Sequence, residues 1–144
     1  GASYTGLLQF GMNADFEKAL DWKGGSFRTT WLWISGGQPS VSEVGSLLAV
    51  SPIEGPPSFR VLDLWLQQRL FVDVLSLRAG IFNADAEFTV SDNAALFQNA
   101  GFGWPTSYAG TRGGAPVYPF AAPGMHAAAE PGGDWKIQAA AMQS

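Results

Sequence analysis

Seven side chains in this 144-residue sequence have types and spacing that could act together. Arg60, Asp63, Trp65 and Gln67 share one short stretch, Arg78 follows in the next, and Asp85 and Glu87 come soon after. Asp63, Asp85 and Glu87 could in principle supply the acid and nucleophile of a glycoside hydrolase, in which two carboxyl groups flank the scissile bond. Nothing in the sequence fixes their separation, and no P-loop, dinucleotide fingerprint, HExxH or GxSxG accompanies them, so catalysis is not expected. His126 is the sole histidine and there is no cysteine, which leaves no zinc-finger pattern, disulfide framework or thiol nucleophile. Neither a metal nor a cofactor is expected. Arginine, carboxylate and carboxamide groups beside an indole suit another task. They can hydrogen-bond a neutral polyol while the ring meets its C–H face. A structural tryptophan covered by an inward loop explains Trp65 equally well.

The elements that must position these groups have a period of two. In residues 4–16, Tyr4, Leu8, Phe10, Met12, Ala14 and Phe16 alternate with Thr5, Gln9, Asn13 and Asp15. In residues 27–35, Phe27, Thr29, Trp31 and Trp33 oppose Arg28 and Thr30, although Leu32 and Ile34 blur the pattern. Residues 59–68 set Leu62, Leu64 and Leu66 against Asp63, Trp65 and Gln67. Residues 75–82 set Leu75, Leu77, Ala79 and Ile81 against Ser76, Arg78 and Gly80. Met125, Ala127 and Ala129 then alternate with His126 and Ala128, and Trp135, Ile137 and Ala139 with Lys136 and Gln138. The total is about six strands. Regular alternation puts Arg60 opposite Asp63, so Arg60 shares its side only at a strand rim or beside a bulge.

The connections are as informative as the strands. A short turn at 71–74, a medium connection at 17–25 and the Pro131-Gly132-Gly133-Asp134 hairpin signal alternate with two long segments, 36–58 and 83–120. Tight turns on one rim and long loops on the other are the pattern of a membrane β-barrel. The second long segment is expected to carry a short helix near 91–99, with Ser91 as N-cap, and to fold inward.

Composition agrees. Charged residues make up 14%, against about 25% in ordinary globular domains, while there are 18 Gly and 6 Trp. Mean hydropathy is +0.06, and no apolar run approaches the roughly 18 residues of a membrane helix. The net charge of −4 argues against nucleic-acid binding. No signal peptide is visible, since the first 13 residues already alternate like a strand. On the barrel reading the apolar faces, with Tyr4, Phe27, Trp31, Trp33 and Trp135, meet lipid, and the polar faces line a lumen.

Several consecutive blocks carry a resemblance: SPIEGPP at 51–57, SFRVLDLWLQQ at 58–68, LSLRAGIFNADAEF at 75–88 and ALFQNAGFGWP at 95–105. With the early YTGLLQFGMNADFEKALDW and the late YPFAAPGMHAAAEPGGDWKIQAAAM, their order and spacing resemble the OprB-type carbohydrate-selective porins over nearly the whole chain. The resemblance implies an all-β, antiparallel up-and-down transmembrane β-barrel of 16 strands in a bacterial outer membrane, passing small neutral sugars such as glucose by passive diffusion. It also implies a narrow eyelet of inward loops and charged lumenal residues. Carried onto this sequence, that eyelet comprises Arg60, Asp63, Trp65, Gln67, Arg78 and Glu87 with neighbouring Asp85. Family members often have basic residues where this chain has His126 and Ala128, which points to a less positive lumen.

On this reading residues 1–144 are one partial barrel domain, because about six strands cannot close a membrane barrel. The chain is expected to be a fragment of a larger molecule. The expected partners are small neutral sugars and outer-membrane lipid, with a homo-oligomer or partner subunits possible and no nucleic acid. Two other readings compete. One is a structural or interaction subunit of an envelope assembly, built on a porin-derived segment with unpaired edges. The other is a soluble carbohydrate-binding β-sandwich, whose apolar faces would converge on one core.

Overall fold

The computed structural model describes residues 3–45, 49, 51–88, 90, 96, 116–132 and 134–143. Six strands form one antiparallel sheet in sequence order: β1 (Thr5–Asp15), β2 (Gly25–Gly36), β3 (Ser58–Leu70), β4 (Leu75–Phe82), β5 (Ala122–Ala129) and β6 (Ile137–Met142). Each strand pairs only with its sequence neighbours, which is the up-and-down meander expected from the hairpin signals. β6 begins at Ile137, so Trp135 and Lys136 precede the strand that the alternation assigns to them.

The medium connection at 17–25 contains a helix not expected from the sequence, α1 (Phe16–Leu20). It starts where the Asp15 carboxylate accepts the Glu17 amide at 3.0 Å. It stops where Asp21 turns into the left-handed region at φ 56°. The connection after β4 contains α2 (Asp85–Phe88). Of the span 91–99, where a helix is expected, all but residue 96 lies outside the described residues.

The register sorts side chains onto two faces, because cross-strand partners point the same way. One face carries Phe10, Trp31 and Val61 in line, with Leu8, Trp33 and Phe59 beside them. It continues through Phe27, Leu66 and Ala79 to Met125. These side chains are largely exposed, Leu66 at 49% and Met125 at 68%. Phe59 stacks on Trp31 at 5.4 Å between centroids and on Phe10 at 6.2 Å. No second sheet covers this band among the described residues, so the apolar faces do not converge on a single core as a sandwich requires.

The core lies on the opposite face. Leu32 and Ile34, which blur the alternation of β2, are 0% and 1% exposed. They point inward, and Ile34 is covered by the first long connection. Gly55 approaches so closely that a Cβ there would stand 3.2 Å from Ile34 Cδ1 and 3.1 Å from Pro119 Cγ. Apolar residues on an otherwise polar face thus mark where loops dock.

β3 departs from regular alternation at one point. Thr30 pairs with Asp63 and Trp31 with Val61, so Leu62 is the extra residue of a β-bulge. Leu62 therefore has no place in the paired outward ladder that the alternation assigns to it, and Val61 occupies that rung. The bulge sets Arg60, paired with Leu32, on the same face as Asp63.

Candidate functional site

The inward face of β3, β4 and β5 is where the charged groups gather. Trp65 pairs with Gly80, Gln67 with Arg78, and Arg78 with His126, placing all of them on the inner side. Gly80 is required there. Its φ is +145°, and a Cβ would lie 2.2 Å from the Leu64 carbonyl oxygen. A glycine opposite Trp65 leaves room for the indole beside the next inward residue, Arg78.

Arg78 is the hub. Its Nη2 and Nε donate to Gln67 Oε1 at 2.9 and 3.2 Å. Its Nη1 forms an ion pair with the Glu87 carboxylate. Its Cζ lies 4.2 Å from the centroid of the Trp65 ring. The side chains of Arg78 and Glu87 are 14% and 19% exposed, so the pair is shielded on most sides yet still reachable. Glu87 stands on α2, which is held from β6 by Gln138 Nε2 donating to the Glu87 carbonyl at 2.9 Å. His126, 4% exposed, sits with Nε2 3.9 Å from Glu87 Oε2, edge-on to Phe82 and Phe88. A cleft of about 310 Å³ opens beside this group, lined by Gln67, Arg78, Glu87 and His126 among others.

Asp63 and Arg60 do not join that hub. Asp63 is paired with Arg28, whose Nε lies 3.4 Å from Asp63 Oδ2. Sequence reasoning placed Arg28 on the polar face without assigning it a role. Arg60 donates from Nε to Ser58 Oγ at 2.9 Å, and its Cζ lies 4.6 Å from the Phe120 centroid. Asp85 accepts the Tyr118 amide at 3.3 Å, and burial pushes its carboxyl above the ordinary value of 3.8. Of the seven residues singled out from the sequence, five lie on the inner face of β3 and β4 and two on α2, and they fall into separate contacts: Arg78 with Trp65, Gln67 and Glu87, then Asp63 with Arg28, Arg60 with Phe120, and Asp85 with Tyr118.

Sequence reasoning also missed a buried pair in the first long connection. Ser40 opens a π-helical turn, Ser40–Val44. Its amide and hydroxyl donate to Glu54 Oε1 and Oε2 at 2.9 and 2.6 Å, and the two residues are 2% and 8% exposed. Residues 14 apart in a loop leave no periodic signal. The Pro-Gly-rich run around Glu54 is the only hint.

Chemically, this wall offers fixed donors and acceptors to a polar solute. Among the described residues there is no group of three or more His, Cys, Asp or Glu able to hold a metal ion. An unclosed up-and-down sheet with an apolar outer face, a charged inner face and long connections docked inside is a segment of a porin-type barrel wall. The carbohydrate-selective porin model of the OprB family matches residues 1–144, and the chain belongs to that family. Two solved structures share the fold. The high-pH structure of Pseudomonas putida OprB aligns with a TM-score of 0.84 at 21% identity, over 97% of this chain and 34% of that one. The low-pH structure of the same protein aligns with a TM-score of 0.57 at 13% identity, over 98% of this chain and 38% of that one. The chain thus spans about a third of the length of these relatives. No curated protein matches it.

Proposed function

We propose that this chain forms part of the wall and constriction of an outer-membrane pore through which small neutral carbohydrates, glucose among them, diffuse passively. The observation that carries the proposal is Arg78. It is held on the inner face of the sheet by Gln67, Glu87 and Trp65 and lines an open cleft. A neutral sugar gains nothing from net charge, so these groups act by hydrogen bonding in a confined space. Hydrogen bonds to charged groups are worth roughly 1.5–3 kcal/mol each. Arg78 already spends donors on Gln67 and Glu87, which keeps solute contacts few and weak, as rapid release demands. The outer band of Leu8, Phe10, Trp33, Phe59 and Met125 meets lipid, and the short-turn rim faces the periplasm.

The test is liposome swelling with glucose and a larger uncharged disaccharide, using the full-length porin and its Arg78→Ala variant. Widening at Arg78 raises the disaccharide-to-glucose rate ratio while the barrel stays folded. An unchanged ratio removes Arg78 from selectivity and leaves it a structural charge.

A further inference from the structure

Glu87 stands on α2, a helix of only four residues, which is too short to hold a side chain against an arginine without outside support. The contacts that reach this helix lead, step by step, into the first long connection. Asp85, in the first turn of α2, accepts the Tyr118 amide. Tyr118 belongs to the returning end of the second long connection, which is tied to the helix start again where the Ala84 amide donates to the Pro116 carbonyl at 2.8 Å. The Tyr118 hydroxyl donates to the Ile53 carbonyl at 3.3 Å, crossing to the first long connection. Pro119 closes on Gly55. Between Ile53 and Gly55 lies Glu54, whose carboxylate is held by the amide and hydroxyl of Ser40.

We propose that Glu54 is a positioning residue for the pore constriction: by tying residues 53–55 to the turn at Ser40 within the first long connection, it supports Tyr118 and through it the helix that presents Glu87 to Arg78. The inference rests on the sugar-path reading above and extends it to a residue with no contact to the cleft. The physical reason is one of restraint. A carboxylate buried in a loop persists only when its oxygens are satisfied, and here the Ser40 amide and hydroxyl do this. Removing the carboxylate leaves the Ser40 amide without that acceptor and unties residues 53–55 from the turn at Ser40. Tyr118 then loses the surface and the carbonyl against which it rests. The helix bearing Glu87 keeps its Gln138 contact and the Ala84–Pro116 hydrogen bond, but Tyr118, to which Asp85 is tied, is no longer braced.

Two readouts separate this proposal from the reading beneath it. The first is a spin label on Ala86→Cys, an exposed position of α2, in the full-length porin. Glu54→Ala is expected to sharpen the label's spectrum, reporting a looser helix. Glu54→Gln restores the immobile spectrum, because a carboxamide oxygen still accepts the Ser40 amide and its nitrogen donates to the Ser40 hydroxyl. The second is the disaccharide-to-glucose swelling ratio for Glu54→Ala, Glu87→Gln and the double variant. The two changes are expected to be non-additive by about twofold or more, as for residues sharing one network. Should Glu54→Ala fail to assemble, Tyr118→Phe removes only the hydroxyl link to Ile53 and must loosen the label in the same direction. An unmoved label in the assembled variants, or additive ratios where Glu87→Gln by itself shifts the ratio, overturns the proposal. A label that moves while Glu87→Gln leaves the ratio unchanged overturns the sugar-path reading and keeps Glu54 as the residue that positions α2.

Discussion

The guanidinium of Arg78 lies over the indole of Trp65, with Cζ 4.2 Å from the ring centroid. This contact changes what Trp65 can do. The ring that would otherwise offer a face to a sugar presents that face to an arginine, and the arginine's remaining edge is turned toward Gln67 and Glu87. Trp65 is therefore placed as a platform for Arg78, and on the sugar-path proposal the solute would meet polar atoms at this point of the wall. Cation–π contacts of this kind are worth about 0.5–2 kcal/mol, more when water is excluded.

Replacing Trp65 with Ala is expected to free Arg78 and raise the disaccharide-to-glucose rate ratio in swelling assays. Trp65→Phe, which keeps an aromatic face, is expected to recover most of the wild-type ratio. Equal ratios for Trp65→Ala and wild type would show that Gln67 and Glu87 hold Arg78 unaided.

The two faces of β3 should respond oppositely to charge. Leu64 is in mid-strand on the outer face, paired with Thr29 and Ile81. Leu64→Arg is expected to cost roughly 2–4 kcal/mol, the penalty for a cation at the bilayer midplane. Gln67→Arg, on the inner face, is expected to cost far less in stability, although it crowds Arg78. Urea unfolding from lipid vesicles distinguishes the two.

The bulge at Leu62 makes a prediction about deletions. Without Leu62, regular alternation from Arg60 through Val61 to Asp63 preserves the observed faces, so this deletion is expected to yield an assembled barrel. Deleting Leu64 instead forces either Asp63 or Trp65 to the apolar outer side, and assembly is expected to fail. Heat-modifiable migration on gels, a signature of folded barrels, reads out both.

Acidity should tighten the second long connection. Burial raises the folded-state pKa of Asp85 above 3.8, while its hydrogen bond from the Tyr118 amide works the other way. The folded form thus favours the protonated carboxyl. Its stabilising contribution is complete below 3.8 and is lost as pH rises through the folded-state value. The spin label at Ala86→Cys is expected to be least mobile in acid and to loosen over that window. In an Asp85→Asn background this part of the pH dependence disappears, and a profile unchanged by Asp85→Asn would assign it to another group.

Much of this architecture is determined by the sequence alone, because strand alternation and turn chemistry are local. Tyr4 to Phe16 announces β1 with its outer face, residues 71–74 announce a tight turn, and the order of short and long connections implies the meander and its two rims. The family blocks add the membership that periodicity cannot supply. Other features were decided only in three dimensions. Leu32 and Ile34 read as noise in β2 until both are seen buried, Ile34 against Gly55 of the first long connection. The bulge at Leu62, which unites Arg60 and Asp63, is a matter of register between β2 and β3, and register depends on a partner strand that lies beyond a long loop. The pairing of Arg28 with Asp63, and of Glu87 rather than Asp63 with Arg78, follows from that register and from where α2 docks. Glu54 and Ser40 meet because two segments of one loop without periodicity fold against each other. Period two tells which face a side chain takes. Only the docking of distant loops, governed by burial and by the need to satisfy buried polar groups, tells which neighbour it finds there.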